Sequence, residues 1–201
     1  MRKIDEGDSE IAEMLVQAPD GYSTPLARLF TFYLSGLLLS ADRYIGWFQT
    51  IRNATENDVV RIHINSRGGD ASTAIQFMRV LMDSDATIIA SVEGDCMSAA
   101  TMIFLSADRV EISPHSLFMF HNYSGGVMGK GGEMFEQITH LQKWSEALMR
   151  DVYKDFLTDA EITSILANKD IWMDAEDAGK RVDKKIKALQ KLAKSIKKDF
   201  E

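Results

Sequence analysis

The sequence has one cysteine, Cys96, which excludes a disulfide framework within the chain and fits a reducing compartment. Cys96 lies among apolar residues, so a buried, inert thiol is expected rather than a reactive one. The four histidines show no helical pair and there is no second cysteine, so no zinc site can be composed from the usual ligands. Taken alone, His63, His115 and His140 read as surface or packed residues, and no metal or other cofactor is expected in this chain. The longest apolar run, 29–41, is too short to cross a bilayer. The stretch 1–8 is charged and lacks the apolar core of a secretory leader. A cytoplasmic location without a membrane partner is therefore expected. An excess of positive charge is also missing. The formal net charge is −7, and residues 180–201 carry eight lysines and Arg181 against three acids, which leaves −13 on the remainder. Such an acidic body argues against nucleic acid as a partner.

What is present suits one α/β domain of 201 residues. Pro19, Gly21 and Pro25 punctuate a polar opening, so residues 1–27 are expected to form a mobile or partner-ordered arm. "LFTFYLSG" (29–36) reads as a buried strand, and Ser40 can cap a helix over 41–54. "VVRIHIN" (59–65) alternates as a strand, and Asp70 can cap a helix over 71–83. "ATIIAS" (86–91) is a strand, "MSAATMIFLSA" a helix of small residues, and "SLFMFH" a strand. This β-α-β-α-β-α-β order predicts largely parallel pairing. Beyond it come a glycine-rich stretch, 125–132, read as a loop or bulged strand, and a long helical pattern over 133–156. Thr158 with Glu161 forms a capping box, and Asp174 can cap a short helix ending near Gly179. The domain is expected over 28–187. The tail, 188–201, continues a stripe of Val182, Ile186, Leu189, Ala193, Ile196 and Phe200 ringed by lysines, a basic amphipathic helix.

Three features carry candidate chemistry. "SGGVMGKGGEM" looks like a phosphate loop but fails the spacing, since Gly125 is one residue too close and Gly131 follows Lys130. "INSRGGD" ends a strand with two glycines, which permit a sharp turn and leave backbone N–H groups free. Ser98 follows 29 residues after Gly69 at the start of a helix, where a serine is usually only a cap. As a nucleophile it needs a base, an acid that orients the base, and donors for the developing oxyanion. His121 and Asp170 could supply the first two, and the Gly69 and Ala99 amides the donors.

Together these segments resemble the proteolytic subunit of the Clp protease family, self-compartmentalised serine peptidases. "INSRGGD" is similar to the family's Ile-Asn-Ser-Pro-Gly-Gly, and "CMSAATMIFLSA" to its Ser-Met-Gly-Ala helix. "SLFMFHNYSGG" resembles the segment bearing its histidine, and "KDIWMDAEDAGKRVD" the block near its end. The resemblance covers about residues 28–187. It implies a Clp/crotonase-like α/β fold, with repeated ββα-type units forming a head and a protruding handle over about 125–156. It further implies catalytic Ser98, His121 and Asp170, with Gly69 and Ala99 as oxyanion donors. Asp174 and Asp177 remain alternative acids, and Asp174 is equally a helix cap. The implied activity is ATP-dependent endopeptidase action on peptides or unfolded protein. It would take place in heptameric rings stacked as a tetradecamer, with ATP used by a partner AAA+ unfoldase.

The sequence also departs from that family. Arg67 replaces the proline before the glycines, and Ala99 and Ala100 replace Met-Gly. The strand that in the family often carries aromatic residues of the unfoldase pocket has Arg61 and His63 instead, which weakens the case for the usual unfoldase. Three rivals follow. One is a catalytically silent or ATP-independent assembly protein. A second is a Lys-base hydrolase, for which no suitable lysine stands out. The third is a crotonase-type acyl-CoA enzyme, which would use the same two donors on an enolate.

Overall fold

The computed structural model describes residues 26–199, with side chains described as far as residue 187; the N-terminal arm and the side chains of the tail lie outside it. Strand β1 (Leu29–Leu38) is followed by a 3-10 turn (Ala41–Tyr44) and α1 (Ile45–Arg52). Then come β2 (Val59–Gly69), α2 (Ala71–Met82), β3 (Thr87–Met97) and α3 (Ala99–Leu105). β4 (Arg109–Ile112), β5 (Leu117–Phe120), α4 (Gly131–Tyr153), α5 (Asp159–Leu166), β6 (Ile171–Asp174) and α6 (Ala175–Asp199) complete the chain.

The sheet runs β1-β2-β3-β5-β6, parallel except for antiparallel β6, and β4 pairs with the first half of β3. Alternation decides which face is covered. Along β2, Val60, Ile62, Ile64 and Ser66 are buried while Val59, Arg61 and His63 are half-exposed. The covered face packs on α3, which packs in turn on α2. Phe77 at the centre meets Tyr44, Trp47 and Phe48 in edge-on contacts, a geometry that adds to plain burial. Asp70 caps α2 by accepting from Thr73 N at 2.6 Å, which sets the direction in which the chain leaves the glycine pair.

Several expectations are corrected. β2 and β3 continue past the hydrophobic alternation, through Gly69 and Met97, because neighbouring strands supply ladder partners there. The glycine-rich stretch forms no strand; residues 121–130 carry no regular element and α4 begins at Gly131. The helix after Asp174 does not stop near Gly179 but runs to Asp199. One interior glycine costs only about 1 kcal/mol, and buried Ala178 before it and part-buried Val182 after it hold the helix to the core.

Candidate active site

The site forms where β3 hands over to α3. Ser98 is the single residue between Met97 and Ala99, and its backbone is forced to φ 54°, ψ −130°. A non-glycine residue there costs on the order of 1–3 kcal/mol and persists only when its surroundings impose it. Three contacts do so. Ser98 N donates to Met119 O of β5 at 2.8 Å, and Thr101 N donates to Ser98 O at 2.9 Å. Gly68, at φ 86°, lies so close that an added Cβ would stand 2.7 Å from Met97 O and Ser98 Cβ.

In this conformation Ser98 does not cap α3; its side chain makes no capping bond. Instead Oγ lies 2.6 Å from His121 Nε2. The two come together because β3 and β5 are neighbours, with Met97 paired to Met119, so that the residues just past each strand end meet. The strained turn presents the hydroxyl in the way a nucleophile elbow does. The helix-cap reading of Ser98 is thereby excluded.

Asp170 is placed differently. It is exposed, and among the described residues no carboxylate pairs with His121. The strand register nevertheless runs toward the histidine. β5 and β6 pair Phe120 with Ile171 in antiparallel register, so the same register carried one residue past the last pair sets 170 against 121. Asp174 pairs with Leu117 at the far end, about 13 Å along the strand from position 170. There it caps α6, accepting from Asp177 N at 2.8 Å. Of the three candidate acids, register favours Asp170.

Gly69 and Ala99 both line a cavity of about 240 Å³ with Ser98 and His121. Ala99 is the first residue of α3, so its N–H has no acceptor within the helix. Gly69, at φ 148°, is pressed on β1, where a Cβ would fall 2.2 Å from Leu38 O; only glycine fits. The apolar part of the cavity lining comes from Met102, Trp144, Leu148 and Met149. A larger cavity, about 940 Å³, lies between the turn after α4 and α6 and includes neither Ser98 nor His121.

Sequence reasoning missed several supporting residues. Asn122 Oδ1 accepts from Ser145 Oγ at 2.8 Å and from Tyr123 N at 2.9 Å, while its Nδ2 donates to Asn168 Oδ1 at 3.3 Å. The residue after His121 is thus tied to α4 and to the turn before Asp170. Arg67, where the family has proline, pairs with Asp95 at 3.0 Å and links β2 to β3. Cys96 is fully buried, and burial pushes its thiol well above the ordinary range, which leaves it inert. Among the described residues no cluster could hold a metal ion, and no helix is long and apolar enough to cross a membrane.

The chain is 26% identical over 121 residues to a protein of Bacteroides thetaiotaomicron described as ATP-dependent Clp protease proteolytic subunit, covering 59% of this chain and 55% of that one. It is 26% identical over 129 residues to ATP-dependent Clp protease proteolytic subunit 3 of Rhizobium etli, covering 62% and 66%. The chain thus spans between about half and two thirds of the length of these curated relatives. The Clp protease family profile matches residues 40–181, from the turn after β1 into α6, and the chain belongs to the Clp protease family.

Proposed function

We propose that the chain is a serine endopeptidase cleaving peptides or unfolded protein. The observation that carries this reading is the 2.6 Å contact between Ser98 Oγ and His121 Nε2 on a strained turn. With the imidazole neutral and its proton on Nδ1, Nε2 takes the Ser98 proton as Oγ attacks the substrate carbonyl carbon. The carbonyl oxygen becomes an oxyanion that accepts from the Gly69 and Ala99 N–H groups. Collapse breaks the C–N bond, the proton on Nε2 passes to the leaving amine, and an acyl ester remains on Ser98. Water, activated by the same nitrogen, then releases the acid. A rotation of Asp170 toward Nδ1 holds the ring in that tautomer and balances its transient charge. The apolar wall of the cavity suits an apolar substrate side chain.

The family reading extends this to a double ring of heptamers fed by an AAA+ unfoldase, with ATP used by that partner. Phe135 and Ile138 of α4 are exposed, 72% and 48%, which supports a contact along that helix. On the uncovered sheet face Arg61 pairs with Glu111 and His63 bonds to Glu93 at 2.5 Å, with Tyr33 stacked on His63. A partner docking there meets charges as well as one exposed aromatic ring. The absence of a carboxylate contact at His121 among the described residues favours one other reading, a catalytically silent protein with an assembly role. A fluorophosphonate probe decides between the two, because only an activated serine reacts. Wild type should be labelled and Ser98→Ala should not. Peptide cleavage should fall on the order of a millionfold in that variant. An unlabelled wild type, or a Ser98→Ala protein that cleaves normally, would sink the proposal.

A further inference from the structure

We propose that Thr101 and Tyr153 are positioning residues for Ser98, acting through its carbonyl oxygen. The proposal rests on the reading of Ser98 as nucleophile. Thr101 is fully buried in α3, one helical turn from the serine, and Tyr153 is buried at the last position of α4. Thr101 Oγ1 donates to Ser98 O at 2.6 Å and lies 2.8 Å from the Tyr153 hydroxyl. A hydroxyl has one proton. Since that of Thr101 is spent on Ser98 O, the Tyr153 hydroxyl must donate to Thr101 Oγ1. Burial pushes the Tyr153 phenol up to about 12, so it stays protonated and remains a donor at any working pH.

The relay has a specific target. Ser98 O already accepts from Thr101 N at 2.9 Å, so the same residue grips the carbonyl twice, by main chain and by side chain. The peptide plane that carries this oxygen also carries the Ala99 N–H. Fixing the oxygen therefore fixes an oxyanion donor together with the ψ angle of −130° that aims the serine. In a helix start that otherwise reads Ala-Ala-x-Met-Ile-Phe-Leu, a buried threonine fills no capping role. Its hydroxyl would be costly without partners, and it has two.

The expected signature is a change in turnover without a matching change in binding or folding. Thr101 holds the serine plane from behind and does not line the cavity, whereas Tyr153 does, so Thr101→Val should lower kcat and the labelling rate of Ser98 about tenfold, with KM nearly unchanged. Tyr153→Phe removes one oxygen atom and should cost about threefold in the same rates, because Thr101 keeps its bond to Ser98 O. Thr101→Ser restores the hydroxyl and should recover most of the wild-type rate. The double variant should be no slower than Thr101→Val alone, since both changes break one chain of bonds.

The experiment is probe labelling and peptide kinetics on these four variants, with a thermal melt for each. Variants that melt lower yet label and turn over at the wild-type rate per folded molecule would overturn the proposal and leave Thr101 and Tyr153 as packing residues. Should Thr101→Val fail to fold, Tyr153→Phe and Thr101→Ser decide by the same kcat and labelling criteria. A wild-type protein that the probe does not label is a different failure. It removes the serine peptidase reading, and this inference falls with it.

Discussion

Gly68→Ala tests the pinning of Ser98 most directly, and Gly36→Ala separates its two costs. Both glycines lie in the left-handed region, at φ 86° and φ 81°. An alanine in that region costs about 1–2 kcal/mol whatever surrounds it. At Gly36 nothing lies within 4 Å of the added methyl, so the variant pays that cost alone. At Gly68 the methyl meets Met97 O and Ser98 Cβ at 2.7 Å and Ala99 N at 2.9 Å. Those neighbours are main chain or the nucleophile's own Cβ, and none can swing aside as a flexible side chain would. Forced overpacking of this kind adds about 1–3 kcal/mol. For a chain of this size each kcal/mol lowers the melting temperature by about 2–4 °C. Gly36→Ala should then melt about 2–8 °C below wild type, and Gly68→Ala about 4–20 °C below. Labelling separates the two further. Gly36→Ala should react at the wild-type rate. Gly68→Ala displaces the Ser98 turn, and a misplacement near 1 Å costs on the order of a hundredfold. If both variants melt alike and both label normally, the glycine turn does not press on Ser98 and the account of the strained serine is wrong.

Asp170→Asn should fold and lose most activity because His121 is deprived of an orienting anion, whereas Asp174→Asn should cost capping stability, about 1 kcal/mol, and keep turnover; the reverse pattern in peptide kinetics would move the role to Asp174. Arg181 draws the Glu161 carboxyl from its ordinary 4.5 down to about 2. That pair stabilises the fold above about pH 4.5 and its contribution drains away as pH falls toward 2. In Arg181→Met the melting temperature should drop at neutral pH and vary less across that acid window; parallel acid limbs in the two proteins would refute the linkage. Ile138→Glu with Leu141→Glu places charge on the exposed side of α4 and should reduce the sedimenting particle size, while an unchanged large particle would show that α4 is not the assembly contact.

The sheet was legible where hydrophobic alternation and turn residues agreed, as in β2 with its glycine pair and in α2 with its Asp70 cap. Strand ends were not, because a residue such as Asp95 or Gly69 joins a ladder only when a neighbour offers partners. β4 and β6, four residues each, carry too few alternating positions to stand out. The glycine-rich stretch is open on composition to a loop or a bulged strand, and the structure has it as a loop that leads into α4. At the site, Ser98 and His121 could be found from the order and spacing of motifs. Thr101 and Tyr153 could not. They lie 52 residues apart, and each falls in an apolar helical stripe where a polar atom looks incidental until its partner is known. The one available signal was a threonine inside an otherwise apolar helix start.

The proposed dyad and its proposed acid are held by different physics, and this bears on how the Asp170 variant should be read. Ser98 and His121 follow two adjacent parallel strands in the middle of the sheet, over fully buried Phe118 and Phe120. A shift of either would cost core packing. Asp170 immediately precedes β6, a four-residue strand at the sheet edge with Trp172 55% exposed. Its approach is further set by Asn168, held at φ 62° and bonded to Asn122. Short exposed elements open at small free-energy cost, so the carboxylate can swing without disturbing the core. The register that pairs Phe120 with Ile171 sets 170 against 121, and the proposed mechanism requires Asp170 to turn toward Nδ1. Activity should therefore depend on Asp170 more steeply than stability does, and Asn122→Ala, which frees the Asn168 turn, should lower turnover in the same direction as Asp170→Asn while leaving the Ser98–His121 contact in place.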